Sequence, residues 1–198
     1  MNGYSDPINH ALAFAAKHHD QQVRRGTRLP YLTAAPNVAV ILTRYEQDDV
    51  TVVAGILLDV LRDCVRDGFT AEMLDARIGD KFGSDVLETL LGVVERRYDD
   101  AGVELSQVER KEDLLERVGA AGDRGRWVFA ADLVHTGGTL LAELGRTEFP
   151  ETVWGQQPGG REETTRWFRR FHDRLVEARF KAPIVAELGE MVDGLERK

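Results

Sequence analysis

An all-α fold is predicted by three features of the sequence. Apolar residues recur at helical spacing from end to end. No two alternating runs are joined by an Asn-Gly or Asp-Gly turn of the kind that closes a hairpin. Helix-start signals recur along the chain, from Asp6-Pro7 to the Ser106/Glu109 pair. The 198 residues suffice for one well-formed core, so residues 1–198 are expected to form a single multi-helix bundle.

The first helix is expected to start with Asp6 as N-cap and Pro7 in its first turn, with an apolar stripe through Ile8, Leu12 and Ala15 that His19 continues. A loop over residues 23–35 follows, and Pro36 then opens a short helix bearing Val38, Ile41 and Leu42. A third helix spans roughly residues 50–66 and stops near Gly68. Thr70 caps a fourth that reaches about Gly79, and Ser84 caps a fifth whose stripe is Val86, Leu87, Leu90, Leu91 and Val94. Ser106 and Glu109 form a capping-box pattern for the next helix, and residues 119–125 read as a glycine-rich linker. Residues 127–144 form a largely apolar helix with a bend expected at Gly137-Gly138. Residues 145–160, with two prolines and paired glycines, are the expected mobile loop, and helices over about 162–179 and 183–196 complete the chain.

Composition narrows the partners. Asp and Glu number 34 against 26 Lys and Arg, a formal charge of −8, so the surface as a whole repels nucleic acid and anionic membrane. Cys64 is the only cysteine, which rules out an internal disulfide or a CxxC metal knuckle and suits a reducing compartment, the cytoplasm. The first residues lack the basic and apolar regions of a signal peptide. The apolar run over 52–58 is stopped by Asp59, well short of the ~20 residues that cross a bilayer. The basic run Arg161, Arg166, Arg169, Arg170 and Arg174 is interleaved with Glu162, Glu163, Asp173 and Glu177, the pattern of a solvated, salt-bridged helix face.

Two acids stand where acids are costly. Asp59 interrupts an otherwise apolar helix, and Asp132 does the same in Trp127-Val128-Phe129-Ala130-Ala131-Asp132-Leu133-Val134. A buried ionised carboxylate without a partner costs several kcal/mol on the order of magnitude, so each needs a cation, a metal or a proton. An ion pair or a helix cap is the structural account of either acid alone. With His19 on a third helix, three ionisable groups on core-facing stripes suit a polar pocket or metal site.

At these positions the chain resembles the HD-domain hydrolases of the RelA/SpoT type and their small single-domain relatives. The residues from His19 through Arg24-Arg25-Gly26 to Leu29-Pro30-Tyr31 resemble that family's first block. Gly55-Ile56-Leu57-Leu58-Asp59-Val60-Leu61-Arg62-Asp63 resembles its Ala-Leu-Leu-His-Asp-x-x-Glu-Asp signature, and Ala131-Asp132-Leu133-Val134-His135-Thr136 its closing Ala-Asp-Lys-Leu-x-Asn block. Phe82-Gly83-Ser84-Asp85-Val86 and Arg110-Lys111 resemble two weaker stretches. The resemblance implies an HD-type helical bundle and a site for guanosine tetraphosphate (ppGpp) hydrolysis at a manganese-type ion.

Residue by residue, the resemblance implies Asp59 and Asp132 as surviving metal ligands, with Ala34 and Leu58 where two histidine ligands belong. Arg62-Asp63 stands where the family has a catalytic Glu-Asp pair, which leaves Asp63 as a vestige, and His19 matches a residue beside the pocket and not a ligand. The resemblance implies Arg24 and Arg25 as residues that help hold the nucleotide and Arg110 and Lys111 as a pair near the same pocket, so the four are the candidate nucleotide-binding residues, the alternative being a set of surface charges. Arg62 follows Asp59 by three residues, so its guanidinium can reach the volume an ion would fill, or else point to solvent near a helix end. The expected function is non-catalytic binding of a phosphorylated guanine nucleotide or a protein partner, with no cofactor. The alternatives are an active Mn2+-dependent phosphohydrolase using Asp59 and Asp132, with or without His19, and a purely structural helical protein.

Overall fold

The computed structural model describes residues 3–20, 22–23, 30–65, 70–99 and 101–198. The expectations for Arg24, Arg25 and Gly68 fall outside these residues. Among the described residues the chain forms ten α-helices and one 3-10 turn, and the only β pairings are two isolated bridges, Val23 with Pro30 and Tyr98 with Glu104.

Helix α1 (Asp6–His18) is capped one residue earlier than the sequence suggests. Ser5 Oγ accepts the Ile8 N–H at 3.4 Å, which puts Asp6 in the first turn, where a negative charge meets the positive end of the helix dipole. Its buried face is Ala11, Phe14 and Ala15, with Ile8 and Leu12 on the flank. The supposed loop over 23–35 holds the 3-10 turn Tyr31–Thr33 and the start of α2 (Ala34–Arg44), so Pro36 sits inside the first turn, where a missing N–H costs no helical bond.

Helix α3 (Asp49–Asp63) begins at Asp48, whose Oδ1 accepts the Thr51 N–H at 2.9 Å, and ends at Cys64, a buried cap residue. Every residue from Thr51 to Leu61 is buried. Thr70 caps α4 (Ala71–Phe82), which runs past Gly79. Gly83, at φ +92°, turns the chain in a conformation that side chains disfavour, and it rather than Ser84 precedes α5 (Ser84–Leu91).

The capping box forms as expected at α6 (Gln107–Ala120). Ser106 N–H donates to Glu109 Oε2 at 2.8 Å, and Glu109 N–H to Ser106 Oγ at 3.3 Å. The glycine-rich linker shrinks to Ala121 and Gly122, because α7 (Asp123–Arg146) starts early and continues unbroken through Gly137-Gly138. Gly137 serves packing: a Cβ there would lie 2.1 Å from Met191 Sδ on α10 (Pro183–Glu196). The expected loop over 145–160 contains the short α8 (Pro150–Trp154), anchored by the buried Trp154, and leads into α9 (Gly160–Glu177).

Helix α3 is the hub. It packs on α1, α2, α5 and α7, while α7 packs on α2, α3 and α10, and α9 rests on α6 and α10. A helix apolar on every face is stable only when surrounded in this way. Asp59 and Asp132 are thereby brought to the contact between the two central helices. Among the described residues no helix is long and apolar enough to cross a membrane.

Candidate functional site

Asp59 on α3 and Asp132 on α7 are each 6% exposed; Asp132 lines a cleft of about 660 Å³, and Asp59 is joined to it through Arg62, which also lines the cleft. The cleft is walled by Leu58 and Arg62 of α3, Leu133 and Thr136 of α7, Lys111 of α6 and Trp167 of α9. The sequence placed the acids in apolar helices, and the fold brings them together through one side chain.

That side chain is Arg62. One helical turn beyond Asp59, its Nη2 contacts Asp59 Oδ1, while Nη1 donates to Asp132 Oδ2 at 3.0 Å and Nη2 lies 3.5 Å from Asp132 Oδ1. Its Nε is 3.5 Å from Asp63 Oδ2, and that oxygen also accepts the Tyr31 hydroxyl at 2.7 Å. The guanidinium therefore lies between the two buried carboxylates, with a third at its edge, and 35% of the Arg62 side chain remains open to the cleft.

The electrostatics follow from this crowding. Burial pushes the Asp59 carboxyl up from the usual carboxylate range; the guanidinium opposes that, and Asp132 and Asp63 reinforce it. Burial alone would favour loss of the Arg62 charge, but Asp132 and Asp59 outweigh it and hold the guanidinium firmly protonated. Burial and the bond to Asp63 push the Tyr31 phenol well up, so it stays a neutral donor.

Ala34 and Leu58 are both buried and apolar. His19 is 3% exposed and turns elsewhere: its Nδ1 lies 2.7 Å from Gln22 Oε1 and 3.6 Å from Cys64 Sγ, and its ring stacks on Tyr31 at 5.1 Å. Tyr31 thus stands between His19 and Asp63. Among the described residues no three His, Cys, Asp or Glu side chains are grouped to hold a metal ion.

The two basic residues of α6 part company. Lys111 faces the cleft, where its Nζ donates to Glu163 Oε1 at 2.6 Å and sits 5.2 Å from the Trp167 ring. Arg110 turns the other way, giving its Nε to the Leu105 carbonyl at 2.9 Å and Nη2 to Glu104 at 3.2 Å. The α9 wall of Trp167, Phe168 and Thr164 was not anticipated from the sequence. Its signal was present in the aromatic spacing of Trp167, Phe168 and Phe171 within an otherwise charged helix. The arginines of α9 do pair as their pattern suggested, Arg169 with Asp193 and Glu196, and Arg170 with Glu112.

Residues 11–118 match the family model of the HD domain. A GTP pyrophosphokinase of Myxococcus xanthus is 30% identical over 113 residues, which is 57% of this chain and 14% of that protein; the chain thus spans about a seventh of that relative's length. Among solved structures, a metazoan ortholog of SpoT that hydrolyzes ppGpp superposes with a TM-score of 0.71 at 22% identity, covering 95% of this chain and 94% of the other. The lmo0812 protein of Listeria monocytogenes EGD-e gives a TM-score of 0.66 at 22% identity, over 83% of this chain and 99% of that one. HD domains are typically metal-dependent. The residues here do not fit an ion: two carboxylates remain, apolar side chains flank them, and a guanidinium lies between them.

Proposed function

Because this chain belongs to the HD domain family, we propose that it is a member that binds without catalysing: one HD-type unit whose cleft receives a phosphorylated guanine nucleotide and acts by being occupied. The observation that carries this reading is that the cleft persists while the donor set does not. Both acids stay buried, Asp132 in the cleft wall and Asp59 tied to it through Arg62, yet Leu58 and Ala34, where the resemblance implies the other ligands, offer no lone pair. Metal-assisted phosphoester hydrolysis needs an ion to activate water and to neutralise charge on the leaving phosphate. Arg62 also stands where the resemblance implies a proton-transfer acid.

The ligand class comes from the relatives, whose names speak of ppGpp hydrolysis and of GTP pyrophosphokinase. Lys111 on the α6 wall is the described cation best positioned to meet a phosphate, by exchanging its bond to Glu163 for one to the ligand. Arg24 and Arg25 follow Val23, which lines the cleft, and would add to that charge. Leu58, Leu133 and Trp167 offer apolar and aromatic surface to the base.

The test combines melting and turnover. Guanosine tetraphosphate at about 100 times its Kd stabilises a protein by about 2.7 kcal/mol, a rise of roughly 5–10 °C for a chain of this size. The expected result is such a rise with no pyrophosphate release, with or without manganese. Clear manganese-dependent turnover would overturn the reading. A flat melting profile would overturn nucleotide binding and favour the purely structural reading.

A further inference from the structure

We infer that Arg62 is a tethered counter-ion: its guanidinium fills a cation site formed by Asp59 and Asp132, and removing the side chain hands that site to a free cation, either guanidinium or a small divalent metal. The two carboxylates come from different central helices, and both are almost fully buried. Among the hydrogen bonds and ion pairs of these two carboxylates, Arg62 is the common partner, reaching Asp132 at 3.0 Å through Nη1 and Asp59 through Nη2.

A planar fork with parallel donors suits this bridging position, since it can face two carboxylates at once, as a coordinated ion does. A solvent-facing arginine at a helix end would show none of these contacts. Arg62 also belongs to the same helix as one of its two partners, so its guanidinium stays tethered within a few rotatable bonds of the site. In its absence Asp59 and Asp132 would share one apolar contact with Asp63 at the edge and no charge to offset them. Two buried acids in that situation either take up protons or recruit a cation.

Leu58 and Ala34 supply no donors, so a recruited metal would be held by the two acids and water. Guanidinium, which needs only acceptors, should fill the site at least as well. This inference shares with the proposed function the view that no metal resides in the wild-type cleft. It concerns stability and cation uptake rather than nucleotide binding, so either can fail while the other stands.

The experiment uses the full chain with Arg62→Ala. Its melting temperature is expected to fall by about 5–10 °C. At 20 mM guanidinium chloride or 1 mM manganese chloride it should regain at least half of that loss, whereas sodium chloride of equal ionic strength should not restore it and the wild type should respond to none of the three. Guanidinium is far below denaturing levels there. Elemental analysis with 1 mM manganese kept in the dialysis buffer should find excess metal with the variant and not with the wild type, the weak uptake expected of two acids and water. A variant that melts with the wild type, or whose loss is restored equally by sodium chloride, overturns the inference. Should Arg62→Ala not fold, the triple variant with Asp59→Asn and Asp132→Asn decides: a folded triple variant supports a charge role, and an unfolded one shows that Arg62 acts through packing.

Discussion

Replacing Asp113 should loosen the cleft rim by a calculable amount. Asp113 on α6 accepts Arg96 Nε at 3.2 Å and Arg117 Nε at 2.8 Å, with a further contact from Arg96 Nη2. Arg117 in turn donates to the Leu91 carbonyl at 2.9 Å and the Val94 carbonyl at 2.5 Å, which ties the segment after α5 to α6. Val93, Val94 and Glu95 of that segment line the cleft. Hydrogen bonds to charged groups contribute about 1.5–3 kcal/mol each when shielded. With the arginines up to a third exposed, the low end applies and the bonds do not add fully, so Asp113→Ala should cost about 2–3 kcal/mol at pH 7. That is a fall in Tm of roughly 5–10 °C.

The pH dependence carries a sign. Partial burial alone would raise the Asp113 carboxyl, but hydrogen bonds from Arg96 and Arg117 outweigh it and hold the group below its ordinary value of 3.8. A carboxyl depressed in the folded state binds fewer protons there than in the unfolded chain. Its stabilisation is therefore complete above the unfolded value and disappears as pH falls through the folded one. Urea unfolding at pH 7, with melts repeated down to pH 2.5, measures both effects. A wild-type minus variant difference below about 0.5 kcal/mol at pH 7, or one undiminished at pH 2.5, would refute the reasoning.

Three further perturbations test other features. Lys111→Met should change stability by no more than about 1 kcal/mol, because its partner Glu163 is half exposed, while weakening nucleotide affinity about tenfold; titration calorimetry separates the two, and unchanged affinity would remove Lys111 from the phosphate site. Trp154 is 2% exposed and its indole N–H has no hydrogen-bond partner among the described residues, so Trp154→Phe should cost less than about 1.5 kcal/mol and Trp154→Ala about 3–5; equal losses in denaturant unfolding would show that the N–H matters after all. Gly137→Val should cost about 1–3 kcal/mol by driving α10 from α7, whereas Gly137→Ala should be milder because the Met191 thioether can swing aside; a valine variant that melts with the wild type contradicts the close approach.

Much of the fold was legible because it rests on local signals. Thr70, the Ser106/Glu109 box and the apolar stripes each act within one or two turns, and their elements form near where the signals lie. The misplacements have local causes too. Ser5 and Asp6 are both good caps and Pro7 fits either register, so only geometry separates them. Gly125 reads as linker, yet a Cβ there would come within 3.1 Å of Val93 Cγ1, so the glycine serves tertiary contact inside a helix. At the site, Asp59 and Asp132 announced themselves as charges in apolar runs, and helical spacing put Arg62 within reach of Asp59. The Tyr31 to Asp63 bond, the turning away of Arg110 and the α9 wall join residues distant in sequence, and periodicity carries no information about such meetings.

The guanidinium between α3 and α7 is bound to the chain by covalent bonds, and that changes how the contact responds to its surroundings. A dissolved ion occupies its pocket in proportion to its abundance and departs on dilution or in the presence of a chelator, whereas a linked group is present at an effective concentration set by a few rotatable bonds. The contact between the two central helices then carries its own positive charge, and with Arg62 as the counter-ion inferred above its strength is expected to be the same in a metal-starved solution as in a metal-rich one.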